Sequence, residues 1–186
     1  ALLLTCKRFS ALIPKISYTD HHNYHVVAHL TFICNFKNIY LITGNVDFTE
    51  HMMRHVTHLI FSHDFDQSVD RLPRNLTYLQ FGSWFNHSVD RLPPNLTHLQ
   101  FGYNFNQPVN HLPHKLTHVH FGSCFNQPVD HLPPNLNSLT FGYNFNQNVD
   151  HLPLNLINIT FGMEFDRCMN LLPKNLSTMM FRDKFY

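Results

Sequence analysis

A parallel β-solenoid built from 20-residue coils is the fold this sequence predicts, and three observations predict it. The first is a period of 20 residues with no slip: one phenylalanine returns at Phe61, Phe81, Phe101, Phe121, Phe141, Phe161 and Phe181, and a second at Phe65, Phe85, Phe105, Phe125, Phe145, Phe165 and Phe185. The second is the alternation that opens each unit. Leu79 and Phe81 fall on one side and Tyr78 and Gln80 on the other, as in a short half-buried strand. The third is punctuation. Pro, Gly and Asn stand at fixed places in the rest of each unit, which argues against regular helix. A strand every 20 residues recurs too often for helical crossovers between parallel neighbours. Each unit therefore closes one coil, and its strand stacks in parallel on the next about 4.8 Å away.

The elements follow in chain order. In residues 1–14, Leu2, Cys6, Phe9 and Ile13 fall on one face of a short N-terminal α-helix that Pro14 ends. Residues 15–55 form a degenerate N-terminal cap, with a worn copy of the unit at Phe36, Ile39, Leu41 and Met52. Residues 56–186 hold the regular units, L-x-x-L-x-F-G-x-x-F-N-x-x-V-D-x-L-P-x-N. Leu76, Leu79, Phe81, Phe85, Val89, Leu92 and Leu96 are the apolar anchors of one coil, each contributing about 1.5–3 kcal/mol before chain entropy is subtracted. One coil cannot bury them, whereas a neighbour on each side can. Phe81, Phe101, Phe121 and Phe141 are expected in one buried stack and Phe85, Phe105, Phe125 and Phe145 in another. Asn86, Asn106, Asn126 and Asn146 share a phase, and because an amide both donates and accepts they are expected to form a buried ladder. Five of the six glycines follow the first phenylalanine of a unit, either to take a positive φ or to let the chain turn closely.

The unit "LTHLQFGYNFNQPVNHLP" resembles the FNIP-type leucine-rich repeat, also known by its FGxxFN motif. The resemblance covers 56–186, with a degenerate copy from about residue 36. It implies a leucine-rich-repeat solenoid whose parallel β-sheet lines a concave, ligand-facing side, in proteins typical of giant DNA viruses and slime moulds. Ordinary leucine-rich repeats carry a turn asparagine where this chain has Trp84, Asn104, Cys124, Asn144 and Glu164. Here the regular asparagine lies two residues later. "LLLTCKRFSALI" in turn resembles the last helix of an F-box, so 1–14 is read as an F-box remnant, with two further helices needed upstream for a complete one.

Composition narrows the function. A net charge of +1 creates no field toward nucleic acid or an anionic membrane, and no apolar run approaches the roughly 20 residues that span a bilayer. Cys6, Cys34, Cys124 and Cys168 lack metal-type spacing and read as free thiols in a reducing, cytoplasmic compartment, that of the host if the source is viral. No G-x-S-x-G, phosphate loop or H-E-x-x-H occurs, so neither an enzyme nor a cofactor is expected. Asp70, Asp90, Asp130 and Asp150, each followed by Arg or His, read as a self-compensating solvated edge.

The concave strand positions are where recognition is expected: Tyr78, Gln80, His98, Gln100, His118, His120, Ser138 and Asn158. Two or three of these imidazoles suit a transition metal, but no carboxylate or cysteine joins them, and no metal site is expected. The resulting expectation is a protein-interaction module that binds an unidentified protein on the concave face. By resemblance it is the substrate-recognition part of an F-box ubiquitin-ligase subunit, engaging the ligase adaptor only through a complete F-box. The alternative is an assembly role through the open solenoid end. There Met179, Met180, Phe181, Phe185 and Tyr186 invite a homodimer.

Overall fold

The computed structural model describes residues 18–23, 36–44, 46, 48 and 50–182. Among the described residues nine strands form one sheet in strict chain order, and every adjacent pair is parallel. They are β1 (Tyr18–Asn23), β2 (Phe36–Thr43), β3 (His58–Phe61), β4 (Tyr78–Gln80), β5 (His98–Gln100), β6 (His118–His120), β7 (Ser138–Thr140), β8 (Asn158–Phe161) and β9 (Thr178–Phe181). Among the described residues one short helix, α1 (Glu50–His55), precedes β3. From β3 onward the register equals the sequence period: Leu79 lies beside Leu99, and Leu99 beside Val119. The described residues thus form a parallel β-solenoid with little helix.

The alternation read from the sequence decides which side chains go in. In β4 to β7 the central residue is buried and both neighbours are not. The two phenylalanine stacks form as expected. Phe101, Phe105, Phe121 and Phe125 are buried, and Phe121 and Phe125 have no accessible surface at all. Along the first stack, from Phe61 to Phe181, ring centroids stand 5.4 to 5.7 Å apart. Along the second, from Phe65 to Phe165, they stand 5.9 to 6.1 Å apart. Strands in a sheet sit about 4.8 Å apart. Rings of the second stack, which lies beyond the turn, therefore stand further apart than those of the first.

Of the two roles open to the glycines, close approach is the one realised. Among the described residues none has a positive φ. A Cβ on Gly122 would lie 1.8 Å from the Gly102 carbonyl oxygen, and one on Gly142 2.1 Å from that of Gly122. The turn after each strand packs directly onto the turn before it, and only a hydrogen fits between.

The asparagine ladder forms, but it is not buried. Asn86 is exposed and Asn106, Asn126 and Asn146 are half-buried. Each Oδ1 accepts the backbone N–H of the equivalent residue one coil on, at 2.9 Å for Asn106, Asn126 and Asn146 and 3.1 Å for Asp166. Gln107, Gln127 and Gln147 donate to the same oxygens. The residue lies at the rim of the turn, so its backbone partner is reached from the solvent side. A second ladder, at the P-x-N-L corner, was not anticipated: Asn95, Asn135, Asn155 and Asn175 each donate to a carbonyl of the preceding coil.

The sheet also begins earlier than the visible period. β1 and β2 pair inside the segment read as a cap, with an irregular register between Tyr18 and His21. Leu41 pairs with Leu59, two places short of the period, which is why the repeat fades there. The helix expected in 1–14, and with it the F-box remnant, lies outside the described residues, as do Phe185 and Tyr186.

Candidate recognition face

Every predicted recognition residue lies on the outer face of its strand, opposite the core. His98, His118 and Asn158 are exposed, while Tyr78, Gln80, Gln100, His120 and Ser138 are half-buried. Parallel in-register pairing sets them in two columns. Tyr78, His98, His118, Ser138 and Asn158 are consecutive neighbours in one, and Gln80, Gln100, His120 and Thr140 in the other. The second column sinks deeper because it lies next to the turn. A shallow depression of about 170 Å³ runs between them over Tyr78, His98, Gln100, His118, His120 and Ser138. No Asp, Glu, Lys or Arg occupies an outward strand position from β3 to β9.

Rings dominate the first column. His58 and Tyr78 stack at 5.7 Å, Tyr78 and His98 at 6.2 Å, and His98 and His118 at 4.3 Å with planes 8° apart. Threonines behind the rings fix their orientation, a role the sequence reading missed. Thr97 Oγ1 lies 2.9 Å from His98 Nδ1, and Thr117 Oγ1 2.9 Å from His118 Nδ1. Each hydroxyl also lies 3.0 Å from a carbonyl of the preceding coil, that of Thr77 or Thr97. Burial, and secondarily the neighbouring His118, holds His98 below the ordinary histidine pKa. Burial and then Arg182 lower His120 in the same direction, and burial raises the Tyr78 phenol.

The face brings His98 and His118 together but leaves them unsuited to chelation. Nearly parallel rings send their nitrogen lone pairs side by side rather than toward one point, whereas a tetrahedral ion needs converging donors. Among the described residues no group of three His, Cys, Asp or Glu side chains is placed to hold a metal. Cys124 and Cys168 are free, and Cys124 is only half-buried. The aspartate edge compensates diagonally between coils. His111 Nδ1 meets Asp90 Oδ1, and His151 Nδ1 meets Asp130 Oδ1, each at 3.2 Å. Ser88, and then His111, hold Asp90 below the usual carboxylate range. Among the described residues no helix is long and apolar enough to cross a membrane.

Comparison with known proteins gives the repeat its name. The sequence model of the FNIP repeat matches residues 85–124 and 125–151. Residues 85–151 match the FNIP repeat. A crystal structure described as that of CroV588, "a novel circular LRR protein structure", superposes with a TM-score of 0.71. Its sequence is 41% identical over 80% of this chain, which spans 24% of that chain's length. No curated protein matches the chain. The structural likeness thus extends beyond the matched FNIP units.

Proposed function

We propose that the chain is a protein–protein interaction module that binds a protein partner through the outward strand face. The observation that carries this reading is the two-column face itself. It is regular, free of fixed charge, and lined by aromatic and hydrogen-bonding side chains that differ from coil to coil while the core varies little. A binding surface needs such variation on an invariant frame. Catalysis needs a nucleophile set against a base in a pocket, and the face offers a shallow depression of neutral groups instead. Within this reading the chain is the substrate-recognition part of an F-box ubiquitin-ligase subunit of giant-virus or slime-mould type, acting in the cytoplasm. The support for that is the motif in 1–14.

The test is affinity capture from a eukaryotic cell lysate with the chain and with a His118→Ala/His120→Ala variant, followed by cross-linking. The reading requires a captured protein that cross-links to the outward strand residues and is lost from the variant. Capture that the variant leaves unchanged refutes it. Supplying the two upstream F-box helices should bring down the ligase adaptor as well; if it does not, the ligase assignment fails.

A second reading rests on the last described coil. Met179, Met180 and Phe181 of β9 are 39%, 54% and 48% exposed, although the same positions of earlier coils include buried residues. A second copy adding its own coil there makes a dimer.

A further inference from the structure

The threonine contacts behind the recognition column determine which nitrogen of each histidine carries the proton, and so what the face offers a partner. Thr97 Oγ1 is 3.0 Å from the Thr77 carbonyl oxygen, and Thr117 Oγ1 is 3.0 Å from that of Thr97. Two oxygens at that separation repel unless a hydrogen lies between them. Each carbonyl also accepts two backbone N–H groups, at 2.9 and 3.0 Å, and the hydroxyl adds a third bond there, so its single proton points to the carbonyl. What remains to Oγ1 is acceptor capacity, so the 2.9 Å contacts to His98 and His118 require Nδ1 to be the donor. Neutral His98 and His118 consequently carry their proton on Nδ1 and present a bare Nε2 lone pair away from the threonine. Tyr78 continues the pattern: its hydroxyl donates to Gln80 Oε1 at 2.9 Å, leaving only lone pairs on the outer side.

We infer that Tyr78, His98 and His118 form a column of hydrogen-bond acceptors with no donor to spare, and that the partner bound there presents lysine or arginine side chains. This rests on the recognition reading above and names the chemistry of the partner. The complementarity is electrostatic. Lone pairs aligned along one column disfavour an approaching carboxylate and accept ammonium or guanidinium N–H groups in charge-assisted bonds. No fixed charge on the face competes. The flanking strands β4 and β7 contribute Tyr78, Gln80, Ser138 and Thr140, and β6 adds His120 beside His118. Arg182, just past β9, acts electrostatically on His120. Acid reverses the preference. Once His98 protonates, both its ring nitrogens donate, the column becomes cationic, and it repels a basic partner. Burial and the neighbouring ring keep His98 neutral further into acid than a free histidine, so the acceptor state covers neutral pH.

The probe is a random dodecapeptide display library, panned on the immobilised chain at pH 7.5. Enriched peptides should be rich in Lys or Arg. They should bind at least tenfold more weakly to a His98→Phe/His118→Phe variant, which keeps the ring stack and removes the acceptors, and tenfold more weakly at pH 5. Peptides that need the strand face but are acidic or apolar overturn the donor rule and leave the recognition face standing. Peptides indifferent to every substitution on that face overturn both. Nitrogen-15 spectra of the histidines give an independent check that needs no variant. At pH 7.5, Nε2 of His98 and His118 must resonate as unprotonated imidazole nitrogen and Nδ1 as protonated. The opposite assignment overturns the inference.

Discussion

Replacing Gly122 with alanine adds one carbon, and the structure says where that carbon goes. It lies 1.8 Å from the Gly102 carbonyl oxygen, 2.5 Å from the Gly102 carbonyl carbon and 3.0 Å from Tyr103 N. All three are backbone atoms of the preceding coil, so no rotamer change relieves the clash. Moving the coils apart disturbs what lies on either side of the turn. The Cys124 N–H bond to the Tyr103 carbonyl at 2.9 Å lengthens, and the Phe101–Phe121 stack at 5.4 Å opens. A net hydrogen bond is worth about 1 kcal/mol, and overpacking a filled core costs about 1–3 kcal/mol. Together they set an expected loss of about 2–4 kcal/mol. Gly44 supplies the control. Its added Cβ would meet Ser62 Oγ at 3.1 Å, the end of a side chain that can turn away, so Gly44→Ala should cost less than about 1 kcal/mol. Urea unfolding followed by circular dichroism measures both. Because solenoid coils interact mainly with neighbours, hydrogen exchange should also show opening concentrated around residues 101–125. Gly122→Ala within about 0.5 kcal/mol of the parent would refute the close-approach account.

Four further outcomes follow from the same geometry. Phe121→Ala removes a ring with no accessible surface from between Phe101 and Phe141 and should cost about 3–5 kcal/mol by urea titration. Asn126→Ala leaves the Asn146 N–H and the Gln147 amide without their shared acceptor and should cost about 1–3 kcal/mol. Asn126→Asp keeps an oxygen there and should cost less at neutral pH, so equal losses would argue against the ladder. Because the folded chain holds His98 below its unfolded pKa, the unfolded state takes up the proton first. The His98 contribution should therefore weaken as pH falls below about 6.5, and proton NMR should find His98 titrating lower than free histidine. For the end-to-end reading, light scattering should show concentration-dependent dimers that Met180→Lys with Phe181→Ser converts to monomers; a monomer at tens of micromolar rules that contact out.

The repeat made the solenoid legible because a packed stack tolerates little change at its buried positions. Phe81, Phe101 and Phe121 recur because each ring packs against the next, so a period in the sequence is a period in space. The outward columns were legible for the same reason, since inward and outward residues alternate along every strand. The orientation of the rings was not. Thr97 and Thr117 look like ordinary strand threonines until the carbonyls of the preceding coil are placed beside them. The aspartate edge misled in detail because neighbours in sequence are not the partners: Asp90 pairs with His111 in the next coil, not with Arg91 beside it. The burial of the asparagine ladder was overstated because a shared phase reveals that residues stack, not how far from solvent they do so. β1 was invisible because irregular pairing leaves no period to read.

The unslipped register between coils has a consequence for how such a chain changes length. From β3 to β9 every coil meets its neighbours through the same contacts in the same places, so a coil is an exchangeable tile. Duplicating or losing a whole tile, by unequal crossing-over between near-identical gene segments, leaves the core joint intact, whereas gaining or losing any other number of residues breaks it. The outward columns are the part that does not survive such an event unchanged. Excising the tile that carries His98 would seat Tyr78 directly against His118 and erase the closest ring pair on the face. Length in this architecture varies in whole steps at little cost in folding, and each step rewrites the order of groups that a partner meets.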